Sequence, residues 1–237
     1  MELDNEPGAV IFLDFEGSDI AAPEAALMAR LGYPGPDSCS EAVRAVLTGL
    51  LERAPAALAP RAAARFTGLS FSPGGGFALD APESPVFKAP RVARALSHGS
   101  AWAVFALTIG PAFPPPARER DILADFCADA IGSVLAESLA ELVEKRLGEI
   151  MAAQGLVRGF RYSPGYCDWP VSDNPALLRA IRAEAIGISL TAGGMMIPQK
   201  SISGILAFGP PGSQVASPAC RWCPDSSCPH RRCRRAD

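Results

Sequence analysis

A long run of apolar residues at helical spacing constrains the fold of this 237-residue chain more than any other feature. Between Asp121 and Gln154, large apolar side chains recur at steps of three and four residues. Glu141, Glu144, Lys145 and Arg146 are expected mostly on the opposite, water-exposed side. This period places the apolar side chains on one face of an α-helix, which must be buried against other elements. The sequence therefore predicts one long helix within a packed domain. The apolar residues are Ile122, Phe126, Ile131, Leu135, Leu139, Leu142, Leu147 and Ile150.

The composition fits one sizeable domain and excludes several protein classes. With 49% hydrophobic and 20% charged residues, the chain can bury a core and is not generally disordered. A net charge of -3 does not indicate a surface that attracts nucleic acid. Glu2, Asp4 and Glu6 stand where a secretory signal carries positive charge, and the apolar run at residues 101–109 is shorter than the ~20 residues of a membrane span. We expect a cytoplasmic protein with reduced cysteines and no membrane segment.

The shorter segments complete a prediction of fold class. We expect a mixed α+β domain over residues 1–215, an antiparallel sheet packed with long helices, followed by a tail over residues 216–237. Alanine-rich runs favour helix, and glycine and proline clusters favour loops. The predicted elements are strands at residues 10–15, 76–79 and 100–109, helices at 21–31 and 40–66, a loop at 70–90, a helix from Asn174-Pro175 to Ile186, and closing strands at 186–190 and 202–206.

The stretch from Arg161 to Pro170 is the strongest functional signal within the predicted domain. Arg161 can hold a carboxylate through two parallel hydrogen bonds, and Gly165 in the Pro164-Gly165 turn lets the backbone approach a ligand closely. One of the aromatic residues can cover a flat ring. This combination suits a small zwitterionic ligand; the alternative is an ordinary turn beside a surface arginine stack. The aromatic residues are Tyr162, Tyr166 and Trp169.

This stretch lies inside a longer pattern that resembles the activation domain of cobalamin-dependent methionine synthase, in its stand-alone form. The resemblance covers residues 95–210 well and residues 30–70 loosely. The motifs are short, but they follow one another in the order and at the spacing of that family. They are residues 135–141 (LAESLAE), 161–166 (RYSPGY), 187–191 (GISLT), Met196, Pro198 and residues 200–204 (KSISG).

The resemblance implies that the protein binds S-adenosylmethionine and presents it to a cobalamin carried elsewhere, so that oxidised cobalt is reduced and remethylated. It implies that Arg161 holds the ligand's carboxylate, that Glu137 faces its ammonium or sulfonium, and that Ser163, Gly165 and Tyr166 surround its adenine. The alternative for Glu137 is an ordinary exposed helix residue. No catalytic residue is expected, because the protein's task is to position two partners and exclude water.

The resemblance also implies a partner. The expected client is methionine synthase or another corrinoid methyltransferase, and cobalt reduction requires an electron donor. The family leaves open whether the detached domain is itself an enzyme component or only a platform for the methyl donor.

Four cysteines near the C-terminus form a second signal, at Cys220, Cys223, Cys228 and Cys233. Reduced thiolates this close together can ligate zinc or an iron–sulfur cluster, and neighbouring arginines would offset the negative charge. Because cobalt reduction needs an electron, an iron–sulfur cluster is our first hypothesis and structural zinc our second. Cys39 and Cys127 are expected to pack in the core, while Cys167 fits either role.

The same tail leaves two other interpretations open. Its cysteine spacing is that of a zinc knuckle with Cys228 in the histidine position, which would bind single-stranded nucleic acid through Trp222 and the arginines. Pro224, Pro229 and the lack of glycine argue against a knuckle, and nucleic acid is not the expected partner. A basic tail without fixed structure is the remaining alternative.

Overall fold

The computed structural model describes residues 8–81, 84–113 and 121–216. In chain order the elements are β1 (Val10–Asp14), α1 (Glu24–Leu31), α2 (Glu41–Ala57), β2 (Arg61–Thr67), β3 (Leu69–Ser72), β4 (Gly76–Leu79), β5 (Phe87–Lys88), α3 (Pro90–Leu96), β6 (Ala101–Thr108), α4 (Ile122–Ala152), β7 (Val157–Tyr162), α5 (Asn174–Ala180), β8 (Ser189–Leu190), β9 (Met196–Ile197) and β10 (Ser201–Gly209). An antiparallel five-stranded sheet in the spatial order β1-β2-β6-β10-β7 forms the centre, which confirms the predicted α+β class. Smaller antiparallel sheets are formed by β3, β4 and β5 and by β8 and β9.

The central sheet is covered on both faces, and β6 shows how the sequence permits this. Successive side chains of a strand point to opposite faces. In β6, Phe105 and Leu107 pack in the core formed with α1, α2 and α4, whereas Val104 and Ala106 pack in the core formed with α3, α5 and the β3–β5 sheet. A strand buried on both sides must be apolar throughout, which is the pattern that predicted it.

The predicted long helix is confirmed as α4. Asp121 begins it, because its side chain accepts hydrogen bonds from the backbone N–H groups of Leu123 and Ala124 at 3.0 and 3.1 Å. The helix packs on α1 and α2 and on three strands of the central sheet. It is therefore the element that places side chains beside β7.

The prediction of a helix over residues 40–66 was wrong in its last third. Helix α2 ends at Ala57, and after Pro60 the chain enters β2. The alanines at positions 62 to 64 are fully buried, with Ala62 and Ala64 on the α4 side of the sheet and Ala63 on the other. Pairing with β1 and β6 and burial on both faces of the sheet override alanine's preference for helix.

The C-terminal part also differs from the prediction. Helix α5 ends at Ala180 rather than Ile186, since Arg182 adopts a left-handed conformation with φ 53° and a short 3-10 helix follows at Ala183–Ile186. The predicted strand at residues 186–190 is reduced to β8, which pairs with β9. The final strand, β10, instead lies between β6 and β7 in the central sheet.

The structure describes three of the seven cysteines. Cys39 and Cys127 are buried as predicted, and burial raises the pKa of the Cys127 thiol, with Cys39 and Asp121 adding to the rise. Cys167 is exposed. The four tail cysteines lie outside the described residues, as does most of the predicted 216–237 segment.

The described residues contain neither a metal-binding cluster nor a membrane-spanning helix. Within residues 8–81, 84–113 and 121–216, no group of three or more His, Cys, Asp or Glu side chains is arranged to hold a metal ion. Over the same residues, none of the helices combines the length and the apolar character that crossing a bilayer requires.

Candidate functional site

A buried arginine between two glutamates forms the centre of the site. Arg161 of β7 donates from Nη2 to Oε2 of Glu137 at 2.6 Å and from Nη1 to Oε1 of Glu144 at 3.1 Å. Both glutamates belong to α4, and their spacing of seven residues, two helical turns, places them on the same face. The Arg161 side chain is only 2% exposed, whereas that of Glu137 is 50% exposed and that of Glu144 11%. Glu137 is therefore the outer partner of the arginine and Glu144 the inner one.

A bulge in β7 allows two of its arginines to reach the same glutamate. Along β10, Leu206 faces Arg161 and Phe208 faces Arg158, so three steps of β7 oppose two steps of β10. The extra residue reverses the alternation of side chains beyond it. As a result Arg158 also faces α4 and donates from Nη1 to Oε2 of Glu144 at 2.9 Å.

Glycine is required inside this bulge. A Cβ atom added to Gly159 would lie only 2.3 Å from the backbone oxygen of Val215 and 3.0 Å from that of Ala207. These contacts are too short for any side chain, so the bulge depends on the absence of one. The sequence places the only compatible residue type there.

The charge of Arg161 is maintained by its surroundings. Burial alone would lower the pKa of its guanidinium, but Glu137, Tyr166 and Glu144 raise it, and the net shift is upward. The Nε atom is buried and has no hydrogen-bond partner among the described residues. The site thus holds a permanent cation that is stabilised by two carboxylates and is close to the Tyr166 hydroxyl.

The loop after β7 is a compact turn built on glycine. Gly165 has φ of 100°, which favours glycine, and its N–H donates to the Trp169 carbonyl oxygen at 2.7 Å. The N–H of Tyr166 donates to the Ser163 carbonyl at 2.9 Å, and that of Trp169 to the Tyr166 carbonyl at 3.0 Å. These bonds fix the backbone beside Arg161 in one conformation.

Two side chains attach this loop to the core on the other face of the sheet. Trp169 is buried, packs edge-on against Phe77 and Phe87, and donates from its indole nitrogen to Asp173 at 3.0 Å. Burial raises the pKa of Asp173, and the indole hydrogen bond lowers it in part. Asp168 accepts a hydrogen bond from the backbone N–H of Arg91 in the first turn of α3 at 2.8 Å. Asp168 therefore attaches the loop to α3, and Trp169 attaches it to the core.

These positions narrow the choice of an aromatic residue for a ligand's ring. Tyr162 and Trp169 are buried in the core, whereas Tyr166 is on the surface and near Arg161. Of the three aromatic residues in the motif, Tyr166 is the one whose ring is accessible.

Ser163 lies next to Gly204 of β10, just after the end of β7. A Cβ atom on Gly204 of β10 would lie 2.7 Å from the Tyr162 carbonyl oxygen and 3.0 Å from the Ser163 hydroxyl. Glycine at position 204 therefore lets the two strands meet at the motif. The Ser163 hydroxyl is buried without a hydrogen-bond partner among the described residues.

Glu137 borders two open grooves. One, of about 850 Å³, runs between α4 and β7 and includes Arg161 and Glu144 in its wall. The other, of about 580 Å³, lies between α1, α4 and the start of β10 and includes Lys200. A ligand in either groove can reach the Glu137 carboxylate.

The structure brings together three of the five predicted ligand residues, Glu137, Arg161 and Tyr166. Ser163 and Gly165 lie in the adjoining strand end and loop. Sequence reasoning missed the inner partner, Glu144, which it placed on the water-exposed side of the helix but which is buried. The seven-residue spacing from Glu137 was the signal that would have found it.

Comparisons with known proteins give one family match and several structural matches. Residues 117–215 match the family model described as vitamin B12 dependent methionine synthase, activation domain. Several solved structures match the fold, and one of them is the crystal structure of the MetH reactivation domain bound to AdoHcy. It matches with a TM-score of 0.58 and 16% identity over 86% of this chain and 79% of that one. No curated protein matches the chain.

At 16% identity, the structural match shows the fold, which is the predicted one. The family match begins before α4 and extends beyond β10, so it includes both glutamates, Arg161 and the Pro164-Gly165 turn. The resemblance to the activation domain that the sequence motifs indicated is confirmed.

Proposed function

We propose that this protein binds S-adenosylmethionine and acts as a detached reactivation partner, in the reductive methylation of the cobalamin of methionine synthase or another corrinoid methyltransferase. The observation that carries the proposal is the Glu137–Arg161 pair beside Tyr166, inside the segment that matches the activation-domain family. The similar solved domain is described as bound to AdoHcy, which has the amino acid and adenosine parts of the proposed ligand.

The charges of the pair fit the amino acid end of this ligand. That end carries one carboxylate and one ammonium group, and the pair offers one guanidinium and one carboxylate. In the proposed bound state, the ligand's carboxylate takes the Nη2 position that Glu137 occupies, and Glu137 turns to the ammonium or sulfonium. Glu137 is half-exposed and can move, whereas Arg161 is buried and stays in place.

Glu144 has a different role in this proposal. It is buried and bonded to both Arg158 and Arg161, so it holds the guanidinium in position while the outer partner is exchanged. Glu144 is a positioning residue rather than a ligand contact.

The adenine end is assigned to the loop. Tyr166 presents an accessible ring, and the backbone of residues 163–166 is fixed by the bonds around Gly165. When bound, S-adenosylmethionine would supply a methyl group to the reduced cobalt of the client's cobalamin. The protein's own residues bind the two ends of the ligand and orient the sulfonium between them.

Calorimetric titration with two ligands tests this function. We expect saturable binding of S-adenosylmethionine, and binding of 5′-methylthioadenosine, which lacks the amino acid end, that is weaker by roughly tenfold or more. Glu137→Gln should reduce this preference by about tenfold, because the ammonium loses a charged partner. The binding of 5′-methylthioadenosine should not change.

Glu52→Gln is the matched control, since Glu52 is an exposed helical glutamate of α2 that borders neither groove. The control should retain the preference for S-adenosylmethionine. Failure of the folded intact protein to bind S-adenosylmethionine would contradict the proposed function, and an equal loss in both variants would contradict the assignment of Glu137.

For the tail we propose an iron–sulfur cluster at Cys220, Cys223, Cys228 and Cys233 that supplies the electron for cobalt reduction, with structural zinc as the alternative. The support is the cysteine spacing and the redox requirement of the proposed function. Anaerobically purified protein should contain iron and sulfide and should absorb visible light. The Cys223→Ser variant should lose the iron, the sulfide and the absorbance. Zinc in place of iron, with no visible absorbance, would exclude the redox role.

A further inference from the structure

A second cavity lies on the face of the sheet opposite the Arg161 site. It has a volume of about 660 Å³ and is located where β1 and β2 meet α5 and the β3–β5 sheet. Its apolar wall includes Val10, Leu79 and Ala176, which pack on the α5 side of the sheet. The Arg161 side chain faces α4 on the other side, so the two sites are separated by the sheet.

Three arginines from three different segments line this cavity. They are Arg65 of β2, Arg179 in the last turn of α5, and Arg182 just before the 3-10 helix at Ala183–Ile186. We call the cavity that they line the arginine pocket. Among the described lining residues there is no aspartate or glutamate, and none of the ion pairs between described residues involves these arginines. A local charge of three positive groups thus occurs in a chain whose net charge is -3.

This arrangement costs free energy unless an anion offsets it. Three guanidinium groups around one cavity repel one another. The Nε atom of Arg65 is buried without a hydrogen-bond partner among the described residues, and an unpaired buried donor is unfavourable. Arg182 is held at φ 53°, a conformation that few residues other than glycine adopt. Strain and unpaired donors of this kind are typical of ligand sites.

We propose that the arginine pocket binds a small organic phosphate. Guanidinium groups match the geometry and charge of phosphate oxygens, which accept two parallel hydrogen bonds from one arginine. A cavity of about 660 Å³ is within the usual range for small-molecule sites, and its apolar wall suits an organic group attached to the phosphate. This site is independent of the proposed S-adenosylmethionine site.

Ribose 5-phosphate is a suitable probe because it carries a phosphate and no adenine. In calorimetric titrations of the 237-residue protein, ribose 5-phosphate should bind saturably with one site per chain, and ribose should not bind. Inorganic phosphate should bind more weakly than ribose 5-phosphate. Arg182→Gln and Arg179→Gln, both exposed positions, should each weaken binding by about tenfold, since each removes a charge-assisted hydrogen bond.

Three variants serve as controls. Arg53→Gln removes an exposed arginine of α2 and should leave binding unchanged. Glu137→Gln should also leave it unchanged, which separates this site from the proposed function. Glu83, next in the chain to the lining residue Ser84, lies outside the described residues, and Glu83→Gln tests whether it neutralises the pocket.

Four outcomes would overturn the proposal. The first is no saturable binding by the intact protein, and the second is equal weakening by Arg53→Gln and Arg182→Gln. The third is binding that appears only in the Glu83→Gln variant, which would mean that the Glu83 carboxylate already neutralises the arginines. The fourth is inorganic phosphate binding as tightly as ribose 5-phosphate, which would remove the organic group from the proposal.

Discussion

Replacing Glu144 by alanine should lower the free energy of unfolding by about 3–5 kcal/mol, because it removes the buried one of the two carboxylates that pair with Arg161. Arg161 would lose its inner partner, and Arg158 would lose its acceptor. Arg161 is almost completely buried and cannot turn to water without a rearrangement of β7. Denaturant unfolding followed by circular dichroism gives this free energy directly.

Glu149→Ala is the matched control. Glu149 lies on the same helix and also pairs with an arginine, Arg146, at 3.2 Å, but both side chains are about half-exposed. Exposed pairs contribute about 0–1 kcal/mol, so this change should have little effect. Similar small losses in both variants would show that the network around Arg161 does not stabilise the fold.

Replacing Trp169 by alanine should also cost about 3–5 kcal/mol, the usual effect of truncating a buried tryptophan. The indole packs against Phe77 and Phe87 and is 1% exposed, so its removal leaves a cavity in the core next to the ligand loop. Thermal and denaturant unfolding measure the loss. Proteolysis within residues 163–170 should become faster, because the loop loses its main attachment.

Two further variants separate the contributions to this effect. Trp169→Phe keeps the ring packing and loses the hydrogen bond to Asp173, with an expected cost of about 1–2 kcal/mol. Phe126→Ala truncates an exposed aromatic residue of α4 and should change stability by less than about 1 kcal/mol. If Trp169→Ala costs no more than Phe126→Ala, the loop is not held by this residue.

The elements that could be predicted from sequence are those whose pattern has one explanation. The apolar period from Asp121 onward predicted the long helix α4, although Ile122 and Phe126 in its first turns are exposed rather than buried. The continuous apolar run of β6 fits a strand buried on both faces. The ligand motif was recognised because the residue types in Arg161 to Tyr166 have a specific order. The confirmed family match covers that motif.

The failures have a common physical cause, which is that tertiary packing decided the outcome. An alanine run has high helix propensity, yet Ala62 to Ala64 lie in a strand, because pairing with β1 and β6 buries them completely in the sheet. Glu144 was placed on the exposed side of α4, but β7 approaches that side and presents two arginines to it. The end of α5 depends on the conformation of Arg182, which no periodicity reveals.

The bulge in β7 also affects how this protein behaves at high concentration. Among the described residues, β7 is an edge strand of the central sheet. A regular edge strand presents a row of N–H and C=O groups to which a second copy can add. The extra residue between Arg158 and Arg161 interrupts that row, and Arg158 places a partly exposed charge beside it. The irregularity that directs both arginines to Glu144 therefore also makes this edge a poor template for aggregation.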